Sequence, residues 1–135
     1  MRTEKHEFGC SVFGVDAKTV DPADLRKLKD LLYKNRLIVL KDQAVTEQQY
    51  CDFAKSFGFP VPYLQTSYHH PDFPLIFVSS NVKKDGKQIG VARTGGYWHS
   101  DTSFEKEPKT ITMLMPKVLP RNHPRSTKLD RKSVV

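Results

Sequence analysis

The sequence predicts an α+β chain in which two early helices pack on a β-sheet, and three features carry that reading. Asp21-Pro22 precedes Leu25, Leu28, Leu31 and Leu32 at helical spacing. A continuous apolar run of strand length, Leu37-Ile38-Val39-Leu40, follows it. A second helical pattern, with Tyr50, Phe53, Ala54 and Phe57 on one face, comes next.

In chain order, Phe8 to Val15 reads as a first short strand bounded by Gly9 and Gly14. Asp21 suits an N-cap and Pro22 a first turn, so a helix runs from there through Asn35. Leu37 to Leu40, ending at Lys41-Asp42, has the unbroken apolar character of a strand buried on both faces. Thr46 with Gln49 three residues on is a capping box, which starts a second helix that Gly58 closes. Pro60, Pro62, Pro71 and Pro74 then break up a stretch rich in Tyr and His, making residues 61–73 an ordered, irregular loop. Leu75 to Val78 is the next expected strand, and Asn81 to Gly90 a polar surface hairpin or flap. Thr110 to Met115, with threonines alternating against apolar residues, is a further expected strand.

The formal charge of +7 is unevenly spread: residues 121–135 hold five Lys/Arg against one Asp. No aromatic residue interleaves with that basic tail to stack on bases, so the charge argues for a solvated tail and not for a nucleic-acid binder. Cys10 and Cys51 lie far apart with no Cys-x-x-Cys spacing and read as reduced thiols. No apolar run approaches the roughly 18 residues of a membrane span, and Met1 to Glu7 lacks the apolar centre of a signal peptide. A cytoplasmic protein with no membrane partner is the expectation.

The segment Thr94-Gly95-Gly96-Tyr97-Trp98-His99-Ser100-Asp101 carries the candidate chemistry. Side chains two apart on extended chain point the same way, so His99 and Asp101 can aim an imidazole nitrogen and a carboxylate oxygen at one ion. A distant second histidine would complete the facial set of two histidines and one carboxylate used by non-haem iron, which leaves coordination positions open. A His-x-Asp triplet alone is a weak signal, more often a surface histidine beside a solvated aspartate. Its flanks strengthen it: Gly95 and Gly96 permit close backbone approach, Tyr97 and Trp98 offer apolar walls, and Phe104 with the Glu-Pro pair after it ends the loop.

Trp98-His99-Ser100-Asp101-Thr102-Ser103-Phe104, followed by Glu107-Pro108 and the run to Leu119-Pro120, resembles the iron-binding segment of the taurine dioxygenase-like (TauD/TfdA) Fe(II)/2-oxoglutarate-dependent oxygenases. Leu37 to Gln43 and Thr46 to Gly58 are similar to that family's strand with its Lys-Asp-Gln turn and to the helix after it. The resemblance implies an incomplete double-stranded β-helix, or jelly roll, with the N-terminal helices packed on the sheet. It implies Fe(II) held by His99 and Asp101, with 2-oxoglutarate and O2 as co-substrates. Thr127 is similar to a threonine that helps hold 2-oxoglutarate. Members run to about twice this length, so the resemblance assigns residues 1–120 to the N-terminal part of the oxygenase domain. Residues 121–135 are then a basic tail with the look of a truncated or frameshifted end, and the chain alone, lacking a third metal ligand and the arginine that pairs with 2-oxoglutarate, is expected to be inactive.

Within the family, Pro62-Tyr63, Tyr68-His69-His70-Pro71, Ile76 to Ser80 and Gly96-Tyr97-Trp98 look closest to the isonitrile-forming branch. That branch oxidises and decarboxylates an N-carboxymethyl-3-amino fatty acid. The likeness implies that Tyr63, Tyr68, His70 and Tyr97 contact a carboxylate-bearing small molecule, although each tyrosine is equally a packing residue and His69 and His70 equally order the loop. A taurine- or alkylsulfonate-type hydroxylase stays open as an alternative. So does a non-catalytic remnant that recruits another copy through an exposed sheet edge.

Overall fold

The computed structural model describes residues 1–118, in two units: Met1–Gly96 and a second that begins at Tyr97. The first unit is built around a mixed three-stranded sheet in the order β1 (Arg2–Lys5), β2 (Cys10–Phe13), β3 (Ile38–Leu40). Strands β1 and β2 pair antiparallel from Arg2↔Phe13 to Lys5↔Cys10, while β2 and β3 pair parallel from Cys10↔Ile38 to Val12↔Leu40. A parallel pair needs a crossover, and α1 (Pro22–Asn35), which packs against β3, supplies it.

The helix signals in the sequence are local, and the structure reproduces them. Asp21 caps α1, its carboxylate accepting the N–H groups of Ala23 and Asp24 at 2.8 Å each. Those bonds, the Asp24 N–H foremost, hold its carboxyl below the usual carboxylate range. Arg36 ends the helix in a left-handed conformation, its N–H reaching Leu32 O at 2.7 Å. For α2 (Glu47–Phe57) both arms of the capping box form: Gln49 N–H donates to Thr46 Oγ1 at 3.2 Å, and Thr46 N–H donates to Gln49 Oε1 at 2.9 Å. The Asn81–Gly90 excursion contains a hairpin of β4 (Lys83–Lys84) and β5 (Lys87–Gln88). Its turn, Asp85-Gly86, has positive φ at both residues, as a two-residue hairpin turn matched to strand twist requires.

The strands depart from expectation in three places. Phe8 to Val15 contributes only β2, and β1, which the sequence reading missed, precedes it; the exposed Arg2-Thr3-Glu4-Lys5 shows no apolar alternation and is held by its pairing with β2. The strand buried on both faces is β2 and not Leu37 to Leu40: Cys10, Ser11 and Val12 are 2%, 6% and 1% exposed, whereas Val39 at the sheet's edge is 42% exposed. Leu75 to Val78 forms no strand and holds one isolated bridge, His69↔Phe77, with a second, Ser79↔Val91, just after it. Thr110 to Met115 forms no strand, although its burial alternates, Ile111, Met113 and Met115 being partly covered and Thr112 and Leu114 exposed.

Leu28 of α1 and Cys51 and Phe53 of α2 join Cys10, Val12, Val15 and Ala17 among the buried apolar residues. Buried Ser11 is satisfied by His6, whose Nε2 lies 2.8 Å from Ser11 Oγ. Both cysteines are free and buried, and burial pushes both thiols up, Lys5 opposing it at Cys10 and Lys55 at Cys51. Among the described residues, no helix is long and apolar enough to cross a membrane.

Two outcomes follow for stability. Gly9 holds φ +81°, and a Cβ there would meet Leu37 Cβ and Leu37 O at 2.9 Å, whereas nothing lies within 4 Å of one at Gly96. In urea unfolding, Gly9→Ala is expected to cost more than the ~1–2 kcal/mol of a left-handed residue, and Gly96→Ala to stay within ~1 kcal/mol of the parent. Burial, with the Cys51 charge adding to it, pushes the Tyr50 phenol up to about 12. Folded Tyr50 therefore keeps its proton longer than unfolded Tyr50; its contribution is complete below about pH 10 and is lost as pH rises through about 12. Across that window the parent is expected to lose stability more steeply than Tyr50→Phe, which urea unfolding at stepped alkaline pH measures.

Candidate metal centre

From Tyr97 to Val118 the described chain has neither helix nor strand, so its shape rests on turns and side-chain hydrogen bonds. Thr102, at φ +53°, is the pivot. Its carbonyl accepts Glu105 N–H at 2.9 Å and its Oγ1 accepts Lys109 N–H at 2.8 Å. An ion pair between Lys109 Nζ and Glu105 Oε2 at 2.7 Å closes the same turn. The chain thereby doubles back, and Thr112 Oγ1–H donates to Asp101 Oδ2 at 2.9 Å.

His99 is oriented from its other side. Its Nδ1 lies 2.9 Å from the Tyr97 carbonyl oxygen, which can only accept, so Nδ1 carries a proton, and a ring protonated at Nδ1 alone presents a lone pair at Nε2. That Nε2 faces Asp101 Oδ1 at 3.4 Å. Each residue has thus committed one polar atom to its own loop and turned the other toward its neighbour. Two acceptors facing each other are an arrangement that a cation bridges. Right-angled donors on an ion with bonds of about 2.1 Å stand about 3 Å apart, so the pair fits a divalent ion with little adjustment. The side chains are 45% and 51% exposed, and as a mere ion pair at that exposure they would add little to stability. Among the described residues, no group of three or more His, Cys, Asp or Glu side chains gathers that could hold a metal.

The flanking residues do less than the sequence suggests. Tyr97 and Trp98 are exposed and do not wall the pair, Phe104 is exposed as well, and no backbone crowds Gly96. Tyr97 does set its ring edge-on to His99, with centroids 5.6 Å apart.

The remaining candidates lie in the first unit. Tyr63 and Tyr68 stack at 5.9 Å, and Phe77 meets both edge-on at 5.0 and 5.7 Å. His69 Nε2–H donates to the Tyr63 carbonyl at 2.6 Å. His70 Nδ1 accepts Asp72 N–H at 3.2 Å, and its ring packs on Phe73. Both histidines thus bind their own loop. Thr127 lies outside the described residues. Sequence reasoning missed Thr112 and Thr102 as partners of the site; the Thr/apolar alternation of 110–115 was the available signal for Thr112, since it sets that hydroxyl on the exposed side.

Comparison with known families adds one match: the model of the taurine catabolism dioxygenase TauD, TfdA family matches residues 3–125.

For the aromatic cluster, Phe77→Ala removes two ring pairs and is expected to cost about 1–3 kcal/mol in urea unfolding, with faster amide exchange at His70 and Val78. Tyr63→Phe and Tyr68→Phe keep the rings and are expected to stay within about 0.5 kcal/mol of the parent.

Proposed function

Because the chain belongs to the taurine catabolism dioxygenase TauD, TfdA family, whose members are typically Fe(II)/2-oxoglutarate-dependent oxygenases, we propose that His99 and Asp101 hold the iron. One observation carries this reading: Nε2 and Oδ1, each left available by a hydrogen bond at the residue's other polar atom, converge at 3.4 Å. Bound there, Fe(II) with 2-oxoglutarate supplies oxidative chemistry with O2. The protein's own part is to hold a neutral imidazole and a carboxylate at adjacent positions, with the remaining positions open. A jelly roll would be the scaffold, as in the family. Among the described residues the site offers two donors, which bind more weakly than three, so weak metal binding is expected.

For the substrate, we propose a small molecule with a carboxylate, in the first instance an N-carboxymethyl-3-amino fatty acid oxidised and decarboxylated to an isonitrile. Supporting it are the resemblance of the Tyr63, Tyr68–Pro71 and Tyr97 segments to that branch and the suitability of phenol hydroxyls on rigid rings as carboxylate donors. The family's description favours a second reading, hydroxylation of taurine or another alkylsulfonate.

Anaerobic calorimetric titration with Fe(II), or with Co(II) in its place, tests the metal reading. Weak binding is expected in the parent and none in His99→Ala or Asp101→Ala; undiminished binding in both variants would overturn the site. For the substrate, the fatty-acid derivative is expected to bind more tightly than taurine. Tyr63→Phe, Tyr68→Phe or Tyr97→Phe should weaken it roughly ten- to a hundredfold wherever a hydroxyl meets the carboxylate. Equal binding of taurine together with three silent variants would remove the substrate assignment and leave the metal site standing.

A further inference from the structure

Asp101 has two carboxylate oxygens, and a free carboxylate exchanges them by rotation about its terminal bond or presents both to one ion. Here they are not equivalent. Oδ2 accepts the Thr112 hydroxyl at 2.9 Å, while Oδ1 faces His99 Nε2. The hydroxyl comes from eleven residues along the chain and reaches Asp101 only because Thr102 folds 102–109 into a closed turn, accepting Glu105 N–H at its carbonyl and Lys109 N–H at its Oγ1. At His99 the Tyr97 carbonyl does the matching work, committing Nδ1 and leaving Nε2.

We propose that Thr112 is a positioning residue of the metal site: its hydroxyl pins Asp101 Oδ2, so that Oδ1 alone is offered to the ion beside His99 Nε2. The inference rests on the metal reading given above. Thr112 is exposed, and the chemical consequence of its bond lies in the geometry of the donor pair. A single committed oxygen leaves more coordination positions open than a carboxylate that binds through both. The exposed side of the Thr110–Met115 run, which presents Thr112 and Leu114, acquires a purpose at the first of these residues.

The test is Co(II) titration of the full chain, followed by calorimetry and by the visible absorption of the bound ion, which reports its coordination. Thr112→Val keeps the shape and loses the hydroxyl; Thr112→Ser keeps the hydroxyl; His99→Ala is the reference. Expected are a ten- to hundredfold rise in Kd and an altered absorption band for Thr112→Val, with Thr112→Ser close to the parent in both. If Thr112→Val matches the parent while His99→Ala abolishes binding, the metal site stands and the role of Thr112 is overturned. Should Thr112→Ser fall as far as Thr112→Val, the effect is one of packing and the hydroxyl has no part. If His99→Ala binds undiminished, the underlying metal reading fails, and this inference with it.

Discussion

Strand β2 is flanked by backbone on both sides and covered on both faces, and the arrangement of the first unit answers to that burial. Buried N–H and C=O groups must find partners, and β2 finds them in β1 on one side and β3 on the other. The approach of β3 is close: Cys10 N–H reaches Leu37 O at 3.0 Å and Lys41 N–H reaches Val12 O at 2.9 Å. That proximity is why Gly9, whose Cβ would strike Leu37, stands at the entry to β2. Beyond β3, Gln43 continues the pairing with its side chain. Its amide accepts Ala17 N–H at 2.9 Å and donates to Val15 O and Lys41 O at 2.7 Å each, tying the chain after β2 to the chain that leads into α2. The exposed β1 covers the remaining side with charge, and Arg2 lies 4.1 Å over the ring of its register partner Phe13. An edge lined by Arg, Glu and Lys is a poor template for another strand.

The second unit is organised by different physics. Among its described residues none is fully buried, and Trp98, Phe104 and Leu114 are exposed, so burial does little to hold them together. What holds it are short-range hydrogen bonds centred on Thr102 and the longer tie from Thr112 to Asp101. Segments kept by solvent-exposed hydrogen bonds belong to the less stable end of a protein's range. For the donor pair this has a chemical sense. The bonds that shape the loop are the ones that leave Nε2 and Oδ1 facing each other, so the order of the loop and the geometry of the proposed site are a single property. The family match runs along residues 3–125, a span that includes the facing pair His99 and Asp101.

What could be read from the residues alone follows the range over which each signal acts. The Asp21 cap and the Thr46–Gln49 box are settled within four residues and appear where the residues place them, and the Asn81–Gly90 excursion closes on the Asp85-Gly86 turn. His99 and Asp101, two positions apart, face each other for the same reason. Hydrophobic pattern was a weaker guide, because alternation tells that a chain is extended and not what it pairs with. Thr110 to Met115 keeps its alternation and forms no strand, Leu75 to Val78 holds one isolated bridge, and Arg2 to Lys5 becomes a strand with no pattern at all. Which strand is central, which edge stays open and which hydroxyl reaches the Asp101 carboxylate depend on residues far apart in sequence meeting in space. Neither propensity nor spacing encodes those meetings locally, and they emerge only when buried backbone and side-chain polar atoms find their partners in the folded chain.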